Sequence, residues 1–491
     1  MMRKGFQLFI VCVLIGFSSE AQKKVIKNIK KSVSQQGIES HMYFYASDEL
    51  RGRNTGTIEN RIAARYIAER FRAYGVKPVD QQNGFFQEVG LTRTKIPNEA
   101  KLTVGDSVFN LWDDMIFTSP ATLEIDSVNY VFVEYGTAAD FEDKDFEGKI
   151  AVGIYALPPE GQRLERDEMV SLLKEKGAVA LLELYRPSKF DWPLLINYLS
   201  NDSYELNTKE VEESNFPVGW IVDPNLERLK FFRESDSLPI SLSIRGSQID
   251  HLTVPNVVGY IEGADPKLKD EYILISAHLD HVGVKNVVPG EDSIFNGARD
   301  NGIGITNMLT TAEYFGKNPP KRSLLFLACN AEEVGLLGSE WYAEYPLIPL
   351  RKTVYNINTD TGGYNDVTKI TVVGLNRTNT TPELIKSGQP FGLTVIDDQV
   401  PEENLYDRSD NVSFAKKGVP AISFDPGYTA MDDEIKKYYH QPGDEPQTID
   451  YEYLTKYCKA YIYAVYLLTE MDTFKWTEGD KYQEAGEELY K

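Results

Sequence analysis

The chain has 491 residues, enough for more than one domain, and its hydrophobic (42%) and aromatic (12%) residues suffice for a sizeable core. The formal net charge of −22 argues against nucleic acid as a partner, because proteins that bind nucleic acid present basic surfaces. An acidic balance favours solubility and by itself says little about a substrate.

The first 21 residues have the pattern of a secretory signal peptide. Arg3 and Lys4 precede an apolar stretch from Phe6 to Phe17, and the segment Ser18–Ala21 that follows contains three small residues. This stretch is shorter than the roughly 20 residues that span a bilayer. We therefore expect cleavage after Ala21, export to the periplasm or the medium, and no stable insertion in a membrane.

Two segments of different character follow the signal peptide. Residues 22–97 contain the turn-rich stretch YASDELRGRNTG and then apolar residues at helical spacing between Gly56 and Gly75. Residues 98–248 hold short β-like runs, a helix before residue 178, and loops rich in charge, proline and asparagine. We interpret 98–248 as a mixed α/β module inserted in a larger domain, and its lack of histidine argues against metal chemistry there.

Residues 249–475 alternate predicted strands with predicted helices. The strands are EYILISAHLD, RSLLFLACN, KTVYNINTD, KITVVGL and VPAISFD, and the helices are GIGITNMLTTAEYFG and EEVGLLGSEWYAEY. This order predicts an α/β fold, with a mostly parallel central sheet flanked by helices on both faces. Functional sites in such sheets lie beyond the carboxyl ends of the strands. We expect the charged tail, residues 476–491, to be loosely ordered.

Cysteine usage limits the kind of metal site that the chain can build. Only Cys329 and Cys458 follow the signal peptide, so the chain is not a disulfide scaffold. Both stand in apolar contexts, which predicts two buried free thiols. Without a cysteine cluster, a metal must be held by His, Asp and Glu, and these ligands favour zinc or another borderline-to-hard divalent ion.

Acids and histidines collect where the predicted strands end or in nearby loops. They are His278, Asp280, Asp300, Glu332, Glu333, Asp360 and His440. Alone, the Glu332–Glu333 pair fits a solvated helix start, where acids are favourable. Burying so many carboxylates together is prohibitive without cations, and two divalent ions would supply the missing positive charge. His278 and Asp280 face the same way on an extended segment, so Asp280 is placed to accept the second ring N–H of His278.

Six motifs in order resemble the M28 family of zinc metallopeptidases. They are HLDHVG, GARDNGIG, NAEEVGLLGSEWYA, NINTDTGG, RSDNVSFAKKGVPA and YYHQPGDEPQTID. The early ASDELRGRNTG is similar to exported bacterial members, and the 98–248 module resembles a protease-associated (PA) domain. The resemblance covers nearly all of the mature chain and implies the family's zinc-aminopeptidase fold.

The resemblance also implies a ligand set for two zinc ions per chain. Asp300 would bridge the two ions, His278 and Asp360 would complete one, and Glu333 and His440 would complete the other. The implied activity is hydrolysis of peptide substrates, most simply by an exported aminopeptidase that releases N-terminal residues.

Three further residues receive catalytic roles from the resemblance. Glu332 would be the general base that takes the proton of the attacking water and passes it to the leaving amine. Asp280 would be the partner of the His278 ring. Tyr439 matches a position that helps to polarise the substrate carbonyl in some relatives, and a packing role is equally open.

The chain departs from the family pattern at two positions. Arg299 stands where relatives often have an acid, so it is expected to weaken metal binding, to bind a substrate carboxylate, or to point away. Asn411 stands where relatives often have histidine. His281 is not assigned as a ligand, and a packing or loop role is the default expectation for it.

Other functions on the same fold stay open at this point. A glutaminyl cyclase needs only one zinc ion, so the full set of ligands favours hydrolysis. A carboxypeptidase needs a cationic pocket, to which Arg299 or Arg408 would contribute. A non-catalytic binding protein is disfavoured because Glu332 and every ligand are present, and a structural zinc site is disfavoured because such sites are usually rich in cysteine. The sequence predicts no oligomeric state.

Overall fold

The computed structural model describes residues 20–80, 83–187, 191–208, 216–234, 238–285 and 290–491. The predicted signal peptide lies almost entirely outside the described residues and stays a prediction. Within the described residues, we find no helix with the length and apolar character needed to cross a bilayer.

The α-helices in chain order are residues 20–32 (α1), Gln35–Tyr45 (α2), Ile58–Ala73 (α3), Arg166–Glu175 (α4), Trp192–Leu199 (α5), Glu227–Glu234 (α6), Gly304–Lys317 (α7), Leu337–Glu344 (α8), Thr381–Gly388 (α9), Asn411–Lys416 (α10), Asp433–Lys436 (α11), Tyr451–Glu470 (α12) and Gln483–Leu489 (α13).

The strands in chain order are Lys77–Pro78 (β1), Phe86–Lys95 (β2), Glu99–Val104 (β3), Ser107–Asn110 (β4), Met115–Phe117 (β5), Leu123–Val128 (β6), Tyr130–Phe132 (β7), Ile150–Tyr155 (β8), Ala180–Tyr185 (β9), Ser203–Leu206 (β10), Val218–Val222 (β11), Ile240–Arg245 (β12), Gln248–Ile261 (β13), Tyr272–His278 (β14), Ser323–Cys329 (β15), Thr353–Asn358 (β16), Lys369–Val373 (β17), Thr394–Asp397 (β18) and Ala421–Pro426 (β19).

The chain divides into two compact units. Of the described residues, the first unit contains those up to Val89 and from Thr253 onward, and the second contains those from Gly90 to Leu252. The chain passes from the first unit to the second within β2 and returns within β13.

The first unit is built on a mixed sheet with a parallel centre. Its strands follow the order β13-β15-β14-β16-β19-β17-β18, and β1 pairs with β13. The central strands β15, β14, β16 and β19 run parallel, whereas β13 and β17 pair antiparallel with their neighbours β15 and β19. The predicted α/β fold with a mostly parallel central sheet is confirmed.

Alternating residues of β14 and β15 pack into two different cores. Ile273, Ile275 and Phe326 lie with α2, α3, α7 and α12 on one face of the sheet. Leu274 and Leu325 lie with α8 and α10 on the other face. Because successive strand residues point to opposite faces, a strand covered on both sides is apolar throughout. This explains the unbroken apolar runs in the sequence.

Register brings the carboxyl ends of three strands to one edge of this sheet. His278, the last residue of β14, pairs with Cys329, the last residue of β15. Ser276 of β14 pairs with Asn358, the last residue of β16. The loops that follow these strands therefore start side by side.

The second unit has its own mixed α/β architecture. A five-stranded sheet has the order β5-β11-β9-β8-β7, in which β7, β8, β9 and β11 are parallel, and a four-stranded antiparallel sheet has the order β4-β3-β12-β6. Two apolar cores lie entirely within residues 102–244. The interpretation of this unit as a PA-type domain stays a prediction.

The C-terminal tail corrects one expectation. Trp476 is buried and its indole N–H donates to the carbonyl of Gly418 at 3.0 Å. Asp480 accepts two hydrogen bonds from Arg377, at 2.7 and 3.0 Å, and α13 follows. The expectation of loose order was wrong, because one large aromatic side chain and one paired acid fix a segment that looks merely charged in the sequence.

Candidate metal centre

The five predicted ligands come from five separate loops at one edge of the central sheet. His278 ends β14, Glu333 follows β15 and Asp360 follows β16. Asp300 lies in a short helical turn, residues 298–303, where its own φ and ψ are extended rather than helical. His440 follows α11 and has left-handed backbone angles (φ +51°). All five are distant in sequence, and only the fold brings them together.

Asp300 stands between two histidines. Nε2 of His278 lies 3.2 Å from Oδ1 of Asp300 and 3.1 Å from Oδ1 of Asp360. Nε2 of His440 lies 3.1 Å from Oδ2 of Asp300 and 3.1 Å from Oε2 of Glu333. Each oxygen of the Asp300 carboxylate therefore belongs to a different group of donor atoms.

This donor set fits divalent metal ions. Donor atoms around a tetrahedral zinc ion, with bonds of about 2.0–2.1 Å, lie about 3.3 Å apart. The histidine-to-carboxylate distances of 3.1–3.2 Å are close to that separation. Imidazole nitrogens and carboxylate oxygens suit zinc among the biological divalent ions. Two ions that shared Asp300 would be held by His278 and Asp360 on one side and by Glu333 and His440 on the other.

The pKa shifts show how strongly these groups depend on positive charge. Burial alone would lower the pKa of His278, but Glu332 and Asp360 outweigh burial and hold it well above the usual value. Burial would raise the pKa of Asp300, but hydrogen bonds with His278 and His440 hold it well below the usual value. The negative charge of the carboxylates therefore favours positive charge next to His278 and His440.

Glu332 is set apart from the ligands that face the two histidines. Its Oε2 lies 4.0 Å from Nε2 of His278, beyond hydrogen-bond reach. Burial, followed by the charges of Asp360 and Glu333, raises the pKa of Glu332 well above its usual value, although His278 opposes the shift. A carboxyl group with a raised pKa at the wall of a cleft is suited to accepting and returning a proton.

Glu332 and Glu333 do not start a helix. Helix α8 begins only at Leu337, and the two acids lie in a turn between left-handed residues Ala331 (φ +59°) and Leu336 (φ +61°). The predicted helix over 332–345 was therefore wrong at its N-terminal end. The turn directs both carboxylates to the same cleft.

Asp280 has a different contact from the one predicted. Nδ1 of His278 faces the backbone carbonyl of Asp280 at 3.3 Å, not its carboxylate. The carboxylate instead accepts the backbone N–H of Glu332 at 3.1 Å and of Glu333 at 3.3 Å. The expectation that the Asp280 side chain holds the ring of His278 was wrong, because the chain turns after β14 and presents the carbonyl. The Asp280 side chain supports the two glutamates instead.

His281 is the residue that the sequence prediction missed. It is fully buried, and its Nδ1 lies 2.6 Å from Oε1 of Glu333 and 4.0 Å from Oδ2 of Asp300. Its ring packs edge-on against the ring of His440 at 5.4 Å. The only sequence signal was its position directly after His278 and Asp280. His281 is placed to orient Glu333, whose pKa falls to about 2 despite burial and the nearby Asp300, because His281 and His440 contact it.

Tyr439 lies on the wall of the cleft. Its ring stacks on the ring of His440 with centroids 4.3 Å apart, and its hydroxyl accepts a hydrogen bond from Nη2 of Arg408 at 3.4 Å. Tyr439 and Arg408 line the same cleft as Asp300 and Glu332. The tyrosine therefore packs against a candidate ligand and also faces the space that a substrate would enter.

Arg299 points away from the donor atoms. Its guanidinium is buried, pairs with the carboxylate of Asp444 at 3.0 Å and stacks on the ring of Tyr438 at 3.6 Å. Of the three expectations, pointing away matches this geometry. Asn411 is likewise buried at the start of α10, where it donates to the carbonyl of Tyr406 at 3.1 Å. The two cysteines, Cys329 and Cys458, are free and buried, as expected.

The family comparison matches the part of the chain that carries this site. The model of peptidase family M28 matches residues 256–465, which include all five predicted ligands. Residues 256–465 belong to peptidase family M28. The sequence resemblance to this family is thereby confirmed.

Curated relatives of the M28 region include proteins from yeasts. The chain is 33% identical over 142 residues to the vacuolar membrane protease of Saccharomyces cerevisiae, and 32% identical over 166 residues to that of Lachancea thermotolerans. These matches cover 29% and 33% of this chain. They span only 13% and 15% of the two relatives, so the chain corresponds to a small part of each.

Solved structures share the fold over most of the chain. An aminopeptidase from Aneurinibacillus sp. strain AM-1 superposes with a TM-score of 0.59 at 21% identity, over 90% of this chain and 95% of that one. A zinc aminopeptidase from Bacillus subtilis superposes with a TM-score of 0.50 at 20% identity, over 92% and 97%. At these identities the likeness concerns the fold alone, and it extends beyond residues 256–465.

Proposed function

We propose that this chain is a metal-dependent exopeptidase that holds two zinc ions and releases residues from the N-termini of peptides. The observation that carries the proposal is the division of the Asp300 carboxylate between His278 and His440. A carboxylate shared in this way is the natural bridge of a two-metal site, which clamps both the attacking water and the substrate oxygen.

Glu332 would carry the proton in this reaction. Zinc ions supply Lewis acidity to the attacking water and to the substrate carbonyl when they are bound. Glu332 accepts the proton of that water on a carboxylate oxygen and donates it to the nitrogen of the leaving amine. Its backbone N–H is held by Asp280, which keeps the carboxylate in place.

The cleft offers a binding surface for the residue that is cleaved. Beside the acids it is lined by the apolar side chains of Val373, Leu405, Tyr428, Met431 and Ile435. An apolar or aromatic side chain would bury its surface there, and Tyr439 would face the carbonyl of the scissile bond. We therefore expect faster release of large apolar residues than of charged ones.

One observation favours a second candidate, a carboxypeptidase. Arg408 lines the cleft and donates to two neutral oxygens, the hydroxyl of Tyr439 at 3.4 Å and the carbonyl of Glu403 at 3.3 Å. Its guanidinium would hold a free C-terminal carboxylate in two parallel hydrogen bonds. Products trimmed from the C-terminus would support this candidate.

The test is incubation of the purified chain with a mixed peptide pool and identification of products by mass spectrometry. We expect stepwise loss of N-terminal residues, which stops when zinc is chelated and returns when zinc is restored. Glu332→Gln should lower kcat by about a hundredfold to ten-thousandfold while zinc content is kept. Glu340→Gln, at an exposed position in α8, is the matched control and should be active.

Three other outcomes would each contradict one part of the proposal. Full activity of Glu332→Gln would show that another group moves the proton. Loss of ammonia from N-terminal glutamine would indicate a cyclase, and activity that survives chelation would contradict the metal-dependent mechanism.

A further inference from the structure

The motif RGRNTG, residues 51–56, supplies none of the candidate ligands, yet its side chains reach the loops that carry them. The motif lies at the end of a short 3₁₀ segment, Asp48–Arg53, just before α3. Gly52 has left-handed backbone angles, and a Cβ at this position would lie 2.4 Å from the carbonyl oxygen of Phe295. Gly52 therefore packs closely against the backbone segment that leads to Asp300.

Arg53 joins two ligand loops through backbone carbonyl groups. Its guanidinium is fully buried. It donates to the carbonyl oxygens of Leu279 (3.2 Å), Tyr45 (3.0 Å), Asn296 (2.5 Å) and Gly297 (3.2 Å). Leu279 lies next to His278, and Gly297 begins the turn that contains Asp300. One planar, rigid group thus fixes the spacing of the two loops.

The carbonyl groups that accept hydrogen bonds from Arg53 are uncharged, so the burial of its positive charge needs an explanation. A buried guanidinium is costly when no carboxylate is paired with it. Nη2 also lies 3.5 Å from the backbone carbonyl of Asp300, so the guanidinium contacts the main chain of the candidate bridging acid. Its placement favours a role in the site over a role in packing alone.

Thr55 and Asn60 extend the same arrangement to the general base. The hydroxyl of Thr55 donates to Oδ2 of Asp280 at 2.9 Å, and Asp280 accepts the backbone N–H of Glu332. The side-chain amides of Asn60 and Asn330 donate to each other at 3.0 and 2.9 Å. Asn330 lies just before Glu332 in the turn after β15. The N-terminal segment therefore contacts three of the five loops that carry candidate ligands, those of His278, Asp300 and Glu333.

We propose that Arg53 and Thr55 are positioning residues of the metal centre. Arg53 sets the separation of the His278 and Asp300 loops, and Thr55 holds Asp280 so that the Glu332 carboxylate faces the substrate. The role of Thr55 in catalysis rests on the proposed peptidase function, whereas the role of Arg53 in ligand geometry does not. Groups behind the ligands commonly change metal affinity or activity by roughly tenfold to a hundredfold.

The geometric part is tested with cobalt ions, which report ligand arrangement by visible absorption. Arg53→Lys keeps the charge but cannot bridge the carbonyl groups as a planar fork. We expect it to weaken cobalt binding at least tenfold and to shift the absorption bands. Arg51→Lys is the matched control, because Arg51 is 58% exposed in the same motif, and it should match the wild type. Wild-type affinity and bands in Arg53→Lys would overturn the role of Arg53.

The catalytic part is tested by two threonine variants. Thr55→Val removes the hydrogen bond to Asp280 and should lower kcat about tenfold with KM and zinc content unchanged. Thr57→Val removes the N-cap of α3, where the hydroxyl accepts the N–H of Asn60, and should lower the melting temperature while kcat is kept. Equal kcat values for the two variants would overturn the role of Thr55.

The two tests separate this proposal from the proposed function. A wild-type chain that binds cobalt but cleaves no peptide contradicts the peptidase function, and the comparison of Arg53→Lys with Arg51→Lys still decides whether Arg53 positions the ligands. One combination of results would overturn the proposal even if Arg53→Lys failed to fold. In that case Arg51→Lys would fold with a wild-type spectrum, and Thr55→Val would keep the wild-type kcat. Stability alone would then explain both residues.

Discussion

At the scale of single residues, the buried Arg299 connects two loops of the candidate site through its partner Asp444. Its partner Asp444 also accepts the backbone N–H of Arg299 at 2.8 Å and of Asp300 at 3.3 Å. Asp444 follows His440 by four residues, so the Arg299–Asp444 pair connects the Asp300 turn with the His440 loop.

We expect Arg299→Met to destabilise the fold by about 3–5 kcal/mol, because it leaves the Asp444 carboxylate buried without its cation. The double variant Arg299→Met/Asp444→Asn should recover part of this loss. Urea unfolding of the zinc-free proteins measures both free energies. A loss below about 1 kcal/mol in the single variant would contradict the account of this pair.

His41 provides a pH-dependent contribution to stability away from the metal centre. It lies between the hydroxyls of Tyr66 (2.8 Å) and Tyr74 (3.0 Å), and burial, assisted by Arg70 and opposed by Glu313, lowers its pKa from 6.5 to about 4. Since the folded pKa is depressed, the unfolded chain takes up the proton first. This contribution is complete above pH 6.5, falls as the pH drops from 6.5 to 4, and totals about 3 kcal/mol.

The difference in unfolding free energy between the wild type and His41→Gln isolates this contribution. We expect the wild type to lose about 3 kcal/mol more than the variant between pH 7 and pH 4, measured by urea unfolding. Parallel pH profiles for the two proteins would show that His41 titrates normally.

At the scale of elements, apolar runs predicted the central strands well. Strands β14, β15, β16, β17 and β19 each fall within or nearly within the predicted segments. Burial on both faces makes such strands largely apolar, although β16 also carries the buried Asn356 and Asn358. The turn over 332–336 was not predictable, since the backbone N–H groups of Glu332 and Glu333 donate to Asp280, which is far away in sequence. The long helix α12 and the strand β13 were also not predicted.

The C-terminal segment offers a test of element packing. Trp476→Ala should cost about 3–5 kcal/mol, because it removes a buried indole and its hydrogen bond to Gly418. Glu488→Ala, at an exposed position in α13, is the control and should change stability by less than about 0.5 kcal/mol. Thermal unfolding measures both. Equal effects would contradict the docked tail.

The candidate site was largely predictable as a set of residues, but not as a geometry. Sequence order and the family motifs brought out the acids and histidines at the strand ends. The contacts of Asp280 and the position of His281 depend on how the chain turns after His278, which adjacent residues do not determine. The direction of Arg299 likewise depends on Asp444, 145 residues away.

At the scale of the whole molecule, each unit has its own apolar cores. All the residues of two cores lie between 102 and 244, and the metal-capable groups found among the described residues lie in the first unit. Multi-domain chains need not unfold in a single step. A ligand that binds one folded unit stabilises that unit alone.

Calorimetry should therefore show two unfolding transitions. Chelation of zinc should lower the midpoint of one transition by several degrees and leave the other unchanged within error. The unchanged transition belongs to the unit of residues 90–252, which contains no histidine before His251. A single transition that shifts as a whole would contradict independent stability of the two units.

The most direct test of the central claim is zinc stoichiometry by native mass spectrometry. We predict two zinc ions per wild-type chain and loss of both in Asp300→Ala, because each oxygen of this carboxylate faces a different histidine. A wild-type chain that carries one zinc ion, or an Asp300→Ala variant that retains two, would contradict the shared carboxylate on which the proposed mechanism depends.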